Sequence, residues 1–406
     1  MLEKLNLDTK VSWFSLTGFA VLIILLSGLL SPEIIIGVEV LILMLSFRKI
    51  TIDRPILFLL AFLLIQGSVC MILQTDTVGL FIKQFIGISV ELIFWSTIIS
   101  IDNYQNVLIL YKKAVIFASI IALLQFFFLK IGLNSLSNLS FIIKAQASTT
   151  GGRSASVFIE PSAFALFDFP MVFIVLYSWL GKNKKIILIN TWEKLVIFFG
   201  FFVSFSTVGY IGIFVSLLII LLNYKLNFKQ IFFIIIIIGL FRVMYTNIKF
   251  FQDRVNDSLN IILGNTGLVD VNLSTQTWFV NEQIAISSLK NTFGIGGGLG
   301  SHILSYSKYI GSVGVSPQMF LLNQDDANSL ALRIISELGI GGVLFMLYFL
   351  VRFRSKDNTK YKIINLMCLA YIILRLVRMG HYFNMGFGLF LILYYRSYLY
   401  GENEEK

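Results

Sequence analysis

The chain has 406 residues, of which 57% are hydrophobic and 13% are charged, and its formal net charge is +10. A soluble protein would carry roughly 25% charged residues, so the composition excludes an ordinary soluble enzyme. Apolar runs of about 18–20 residues recur along the whole length, which is the pattern of membrane-spanning helices. We therefore predict an all-α polytopic membrane protein with a single membrane domain over residues 1–406.

The apolar runs define about twelve predicted spans, and the seventh and eighth are short enough to form one long tilted helix instead. In chain order the spans cover residues 11–31, 34–47, 55–73, 78–100, 107–129, 158–180, 195–206, 208–222, 231–247, 330–351, 361–379 and 382–396.

Basic residues cluster after even-numbered spans, so the clusters share one side of the membrane. By the positive-inside rule that side is cytoplasmic, together with both termini. This orientation explains the net charge without a nucleic-acid partner. The clusters are Arg48, Lys49 and Arg54; Lys182, Lys184, Lys185 and Lys194; Lys225 and Lys229; and Arg352, Arg354, Lys356, Lys360 and Lys362.

Two connections fall on the predicted external side, residues 130–157 and 248–329. The longer one is rich in Asn, Ser and Gly, and its segment "TWFVNEQIAISSLK" (277–290) predicts a short amphipathic helix. It also contains "FGIGGGLG" (293–300). This segment lacks the Lys-Ser/Thr that completes a phosphate loop, so it predicts a tightly packed or flexible loop segment.

Five arginines lie on the predicted external side, against the positive-inside expectation: Arg153, Arg254, Arg333, Arg375 and Arg378. Together they indicate an anionic ligand, because guanidinium groups bind phosphate oxygens bidentately and stay charged when partly desolvated. Alternatively, Arg333 pairs with Glu337 one turn on, and Arg378 extends to lipid headgroups. If the helix continues, Arg375, Arg378 and His381 lie within an arc of about 120°.

Acidic residues precede two of the spans. Glu160 comes directly before Pro161, which predicts a carboxylate at the start of a helix. It is either a helix-start carboxylate that the helix dipole favours or a general base or sugar-hydroxyl ligand. Asp325, Asp326 and Asn328 precede the tenth span and are either a helix N-cap or part of a site.

Other polar groups have no assigned role. Lys83 and Glu91 in the fourth span predict a buried pair of charges on one helix face, two turns apart. Cys70 and Cys368 lie inside apolar runs and are predicted to be small core residues. The residue spacing predicts neither a metal site nor a cofactor.

Four segments carry a resemblance to a known family: "GGRSASVFIEPSAFALF" (151–167), "FSTVGYIGIFVSLLI" (205–219), "FGIGGGLGS" (293–301) and "NSLALRIISELGIGGVLF" (328–345). In their order and topology they resemble the O-antigen polymerases (Wzy-type), within the superfamily that also holds the O-antigen ligases. The resemblance covers roughly 150–350. It departs from the ligases at Ala327, where they carry His, and at Ser206-Thr207, where they carry Ser-Arg.

The resemblance implies a glycosyltransferase at the external face of the bacterial inner membrane. It would join oligosaccharide repeat units linked to undecaprenyl pyrophosphate and release undecaprenyl pyrophosphate, forming O-antigen, capsule or exopolysaccharide. Membrane lipids and a chain-length regulator are the other implied partners.

The site residues are assigned on that basis. Glu160 or Asp326, with His381 third, would be the base. Arg254, Arg333, Arg375 and Arg378 would contact the pyrophosphate, Arg153 would position the acceptor, and Asn328 belongs to the same binding set. The alternatives are a lipid-linked oligosaccharide flippase or polysaccharide exporter, whose charges should line a path through the membrane, and an O-antigen ligase.

Overall fold

The computed structural model is helical, and most of its helices lie where apolar runs predict them. It describes residues 5–6, 12, 15–27, 30–46, 49–137, 152–180, 187–223, 228–247, 249–263, 271–315, 321–355, 360–383 and 385–404. Within these ranges the helices, numbered α1 to α16 in chain order, are Leu16–Leu26, Pro32–Leu45, Arg54–Ile72, Val78–Ile101, Tyr104–Lys130, Asn134–Ser137, Pro161–Leu180, Thr191–Phe202, Thr207–Asn223, Phe228–Asn247, Lys249–Ile262, Leu273–Asn291, His302–Tyr309, Leu330–Arg352, Lys360–Val377 and Phe387–Glu404. A two-residue strand Leu5–Asn6 (β1) pairs in parallel with Ile187–Leu188 (β2).

Each predicted span overlaps one of these helices. Among the described residues, five helices are long and apolar enough to cross a membrane, namely α3, α4, α5, α7 and α14, while α1 and α9 are apolar but shorter. The stretch 195–222 forms two helices, α8 and α9, rather than one. The total of twelve crossings and their orientation stay predictions.

Helix α7 is the central helix of the bundle, because nearly all of its side chains are buried. It packs against α5, α8, α9 and α15. The segment before it is fixed to α5: Ser156 donates its backbone N–H to Gln125 (2.7 Å), and the Gln125 amide donates back to the Ser156 carbonyl (3.0 Å). Residues 152–160 are therefore anchored in the bundle. Residues 138–151 of the predicted connection lie outside the described part of the chain.

The predicted connection 248–329 is largely helical. It contains α11, α12, α13 and a 3-10 turn at Ile310–Ser312, and α12 and α13 both pack on α14. Helix α12 covers the predicted amphipathic segment and buries one side, including Val280 and Ile284. The tight packing of this layer on α14 depends on the glycine-rich segment that follows it.

Helix α14 is broken at Gly339, whose backbone has φ 61° and ψ −154°. The break leaves the carbonyls of Ser336 and Glu337 without donors from their own helix. The glycine-rich segment supplies the missing N–H donors. Gly297 donates to the Ser336 carbonyl and Gly298 to the Glu337 carbonyl, both at 2.8 Å. Non-helical backbone at membrane depth is tolerated only when its polar groups are satisfied in this way.

The backbone at Gly339 and the backbone of residues 294–296 approach so closely that no side chain fits between them. In return for the donated bonds, Ile340 donates its N–H to the Gly294 carbonyl (2.9 Å). A Cβ at Gly339 would lie 2.2 Å from the Gly294 carbonyl oxygen. Of the two predicted alternatives for the glycine-rich segment, flexible or tightly packed, these contacts show the tightly packed one.

We expect Gly339→Ala to destabilise the fold. The backbone conformation at this position is essentially restricted to glycine and costs another residue on the order of 1–3 kcal/mol, and the added methyl would also collide with Gly294. Thermal unfolding of detergent-purified protein measures the loss. The matched control is Gly79→Ala in α4, where an added Cβ meets nothing within 4 Å. Equal unfolding temperatures for Gly339→Ala and wild type would contradict the assigned role of the break.

Candidate functional site

The site is built where the start of α14 meets the end of α15. Met379 donates its backbone N–H to the Asn328 carbonyl (3.1 Å), and the Ser329 hydroxyl donates to the Leu376 carbonyl (2.7 Å). Arg333 adds a bond to the Gly380 carbonyl (3.2 Å). These bonds fix the turn before α14 against the segment that follows α15.

Asp326 and His381 form a pair across this junction. His381 Nε2 lies 3.6 Å from Asp326 Oδ2, and the side chains are 36% and 9% exposed. The carboxylate is held by two donors to its Oδ1, the Asn323 amide (2.8 Å) and the Asn328 backbone N–H (3.0 Å). An accessible imidazole against a fixed carboxylate is an arrangement suited to proton transfer.

The charge state of His381 is set by its surroundings. Burial lowers its pKa below the usual range, the Asp326 carboxylate raises it, and the guanidinium groups of Arg333 and Arg375 lower it further. The net shift is downward, so the imidazole stays neutral to lower pH than a free histidine and can accept a proton.

The turn that carries Asp326 has an uncommon backbone. Ala327 and Asn328 both have positive φ, at 56° and 55°. Two consecutive residues other than glycine in the left-handed region indicate a conformation that the surrounding structure imposes. The cap of α14 is Ser329, which accepts from the Leu332 N–H. The interpretation of Asp325, Asp326 and Asn328 as the helix N-cap is therefore wrong, and Asn328 contributes through its backbone.

A second group of charges surrounds Glu160. As predicted, α7 begins at Pro161 directly after Glu160, whose exposed carboxylate accepts the Ser162 hydroxyl at 2.9 Å. This carboxylate is an electrostatic neighbour of both Arg153 and Arg378. Arg378 also donates to the Ser274 hydroxyl of α12 (2.8 Å).

Arg153 is half-buried in this group. Burial lowers the pKa of its guanidinium, and the charge of Glu160 opposes that shift. Two arginines and one carboxylate thus share the region where the segment before α7 meets the end of α15.

Arg375 lies deeper, and its guanidinium group is buried inside the protein. It is 1% exposed, it donates to the His381 carbonyl, and its guanidinium lies 5.3 Å from the centroid of the Phe387 ring. Its Nε has no hydrogen-bond partner within the described part of the chain. A buried cation with an unused donor next to His381 is a strong candidate for an anion contact.

Arg333 instead has its own counter-ion. Its Nε lies 2.8 Å from Glu337 Oε1, and the two side chains are 2% and 0% exposed. The Tyr382 hydroxyl donates to the other Glu337 oxygen (2.9 Å), and the Arg333 guanidinium lies 4.6 Å from the centroid of the Tyr382 ring. This is the helix-internal pair that the i, i+4 spacing allows, so Arg333 acts on the site through its charge and through Gly380.

The structure separates three residues that the sequence grouped by helical spacing. Helix α15 ends at Val377, so Arg378 and His381 do not continue its face. Arg375 still reaches His381, whose carbonyl accepts its hydrogen bond, whereas Arg378 extends to Ser274 and Glu160. Arg254 belongs to α11, and its side chain lies outside the described residues.

The predicted Lys83–Glu91 pair is wrong. Lys83 is exposed and pairs with Glu33 at 2.9 Å. Glu91 is buried and accepts from the Trp95 indole (3.0 Å) and the Gly388 N–H (3.2 Å). Helical spacing placed both groups on one side of α4. Lys83 instead pairs with a residue of α2, whereas Glu91 is bonded within α4 and to α16.

Two polar residues near the site were missed. His302 follows the glycine-rich segment, is fully buried, and lies 2.9 Å from Asn281 through Nε2. Asp76 lies beside Gly298, and burial raises its pKa to about 7. His302 could have been noticed because the chain contains only two histidines. No sequence signal marks Asp76.

No family of known proteins matches the chain, and no curated protein is significantly similar to it. Within the described residues, no group of three or more His, Cys, Asp or Glu side chains is placed to hold a metal ion.

We expect Glu337→Gln to destabilise the protein by about 3–5 kcal/mol, because it leaves the Arg333 charge buried without a counter-ion. Unfolding by heat or denaturant in detergent measures the change. Glu33→Gln is the matched control, since it breaks the exposed Lys83 pair and should cost at most about 1 kcal/mol. If both variants unfold like the wild type, Arg333 is not dependent on Glu337.

Proposed function

We propose that the protein is a polysaccharide polymerase, a glycosyltransferase that joins oligosaccharide repeat units linked to undecaprenyl pyrophosphate. One observation carries the proposal: an imidazole–carboxylate pair, His381 with Asp326, lies beside a buried arginine, Arg375, whose Nε has no hydrogen-bond partner among the described residues. The reaction needs a proton acceptor and a stabiliser of pyrophosphate charge. The motif order that resembles the O-antigen polymerases supports the same assignment.

In the proposed reaction a sugar hydroxyl of the acceptor attacks the anomeric carbon of the donor. The hydroxyl proton passes to the His381 nitrogen that does not face Asp326, while the carboxylate stabilises the imidazolium. The bond between the anomeric carbon and the pyrophosphate oxygen breaks, and undecaprenyl pyrophosphate leaves with the bonding electrons. Asp326 is thus the partner of the base, and His381 moves from third choice to first.

The arginines divide between two tasks in this proposal. Arg375 and Arg378 would neutralise the charge that develops on the leaving pyrophosphate. Arg153 and Glu160 would bind the acceptor sugar, with Glu160 as the alternative base because it is exposed and close to both Arg153 and Arg378. Arg333 would hold the Gly380 backbone rather than contact the substrate.

The same proposal sets the location. The protein would lie in the bacterial inner membrane with both termini cytoplasmic and this site external, where lipid-linked repeat units await polymerisation. A ligase-type histidine base is not available, because its position holds Ala327, which is buried against Ala285 and Leu332.

We expect His381→Gln and Asp326→Asn each to abolish long polymer, because losing a general base lowers rates by about 10²–10⁴-fold. Gel electrophoresis of the polysaccharide, with protein levels in the membrane matched, should then show single repeat units on the final carrier. Lys308→Gln, which changes an exposed lysine of α13, is the control and should leave the ladder unchanged.

Three other outcomes are informative. Normal polymer from both Asp326→Asn and Glu160→Gln would overturn the assignment of acid–base residues. Full activity of Arg378→Lys would exclude bidentate phosphate binding there. Loss of every lipid-linked product at the external face, including single units, would favour a flippase or exporter.

The pH dependence of the reaction follows from the lowered pKa of His381. A base must be neutral to act, so activity should persist below pH ~6.5, the ordinary histidine value. Arg375 lowers this pKa, so its removal in Arg375→Gln should raise it and shift the acid limb of the residual activity to higher pH. A profile of rate against pH for purified enzyme checks this. An acid limb that stays in place in the variant would show that His381 is not the titrating group.

A further inference from the structure

Two acidic side chains meet inside the helix bundle, at a position that the proposed chemistry does not use. Glu39 belongs to α2 and Glu91 to α4, and each helix overlaps a predicted membrane span. Glu39 is 1% exposed and Glu91 is 4% exposed. The two carboxyl groups are hydrogen-bonded to each other. Ionisable groups buried within membrane spans are costly and generally mark a functional site.

Two glycines let the surrounding helices approach closely enough for this contact. A Cβ at Gly87, one turn before Glu91, would lie 3.1 Å from the Ile36 side chain of α2. A Cβ at Gly388 of α16 would lie 2.5 Å from Glu91 Cγ. The face of α4 that carries Glu91 therefore packs on α2, and the backbone of α16 packs directly on the Glu91 side chain.

Glu91 is placed as an ionised carboxylate. Its Oε1 accepts the Trp95 indole N–H (3.0 Å) and the Gly388 backbone N–H (3.2 Å). Gly388 lies in the first turn of α16, where N–H groups lack helical acceptors and the helix dipole favours a negative charge. Two titratable groups of α15, Arg375 and Tyr371, also interact with Glu91 electrostatically. The N–H donors and the Arg375 cation stabilise a negative charge on Glu91.

Glu39 is placed as the protonated partner. Its Oε2 is buried and has no hydrogen-bond partner within the described part of the chain. A hydrogen bond between two carboxyl groups requires a proton on one of them, because an ionised carboxylate can only accept. Two carboxylates in contact also repel each other strongly, so such pairs share one proton. Since the N–H donors converge on Glu91, the proton lies on Glu39.

The surroundings of the pair favour a proton over a metal ion. The N–H groups of Trp95 and Gly388 bind a carboxylate but cannot coordinate a cation. Together with Ile88 and Leu92, Glu91 lines a cavity whose wall is almost entirely hydrocarbon. Among the described residues, no third His, Cys, Asp or Glu side chain joins the pair to complete a metal site.

We propose that Glu39 and Glu91 form a proton-binding site within the membrane, which holds one proton, on Glu39, at neutral pH. The pair then carries one negative charge rather than two, and this charge lies on Glu91, the member that interacts with Arg375. The bound proton allows α2, α4 and α16 to pack together inside the apolar bundle. The site does not depend on the proposed glycosyltransferase function.

Difference infrared spectroscopy of the purified protein in lipid nanodiscs tests the site. The C=O stretch of a protonated carboxyl group is separate from the carboxylate bands and shifts in D2O. At pH ~7, where exposed acids are ionised, the wild-type spectrum minus that of Glu39→Gln should contain one carboxylic-acid band. The variant should fold, because the neutral amide has a similar shape and can donate to Glu91.

Glu33→Gln is the matched control, because Glu33 lies on the same helix but is exposed and paired with Lys83. Its difference spectrum should contain a carboxylate band and no carboxylic-acid band. A carboxylate band in place of the acid band in the Glu39→Gln difference spectrum would overturn the proposal.

Glu91→Gln tests where the proton lies, and it keeps the proposal testable if Glu39→Gln does not fold. Its difference spectrum should show the loss of a carboxylate band and a shift of the Glu39 acid band, whose acceptor changes from a carboxylate to an amide. Loss of an acid band without this shift would place the proton on Glu91 and refute its assignment to Glu39. Loss of a carboxylate band with every acid band unchanged would show that Glu39 is ionised and refute the site.

Discussion

The break in α14 at Gly339 is the feature on which the rest of the site depends. A helix interrupted inside an apolar bundle must satisfy its freed backbone groups internally, and the glycine-rich segment 293–300 does this with reciprocal hydrogen bonds. The same contacts tie α12 and α13 to the first half of α14. Because that half carries Arg333 and Glu337 and begins at the turn of Asp326, the docked loop fixes the position of the candidate site.

The two buried arginines near the site, Arg333 and Arg375, differ in whether a carboxylate contacts the guanidinium directly. Arg333 and Glu337 neutralise each other and are further held by Tyr382, so their cost of burial is offset within the fold. Arg375 is equally buried, yet its described contacts are a carbonyl and an aromatic ring. The Asp326 and Glu91 carboxylates act on it electrostatically, but its Nε has no hydrogen-bond partner among the described residues, and an anionic ligand would supply one.

Hydropathy located the helices well because each apolar run is a local property of the chain. Glu160 before Pro161 was also predictable, since proline sets the helix start. Pairings between distant elements were not predictable. Lys83 meets Glu33 rather than Glu91, and Asp326 meets His381 only because the chain reverses after Val377. Helical spacing correctly predicted that Glu337 could pair with Arg333. It could not decide whether Arg333 binds Glu337 or an anionic ligand, because the burial of both side chains depends on the fold.

In the proposed function, the protein itself forms glycosidic bonds and releases polyisoprenyl pyrophosphate. Purified protein in lipid nanodiscs, given one defined lipid-linked repeat unit with and without a chelator, tests it most directly. We expect a ladder of products, one released polyisoprenyl pyrophosphate for each new linkage, and neither product from the His381→Gln protein. A wild-type protein that binds the substrate but forms no linkage, or a His381→Gln protein that polymerises at the wild-type rate, would contradict it.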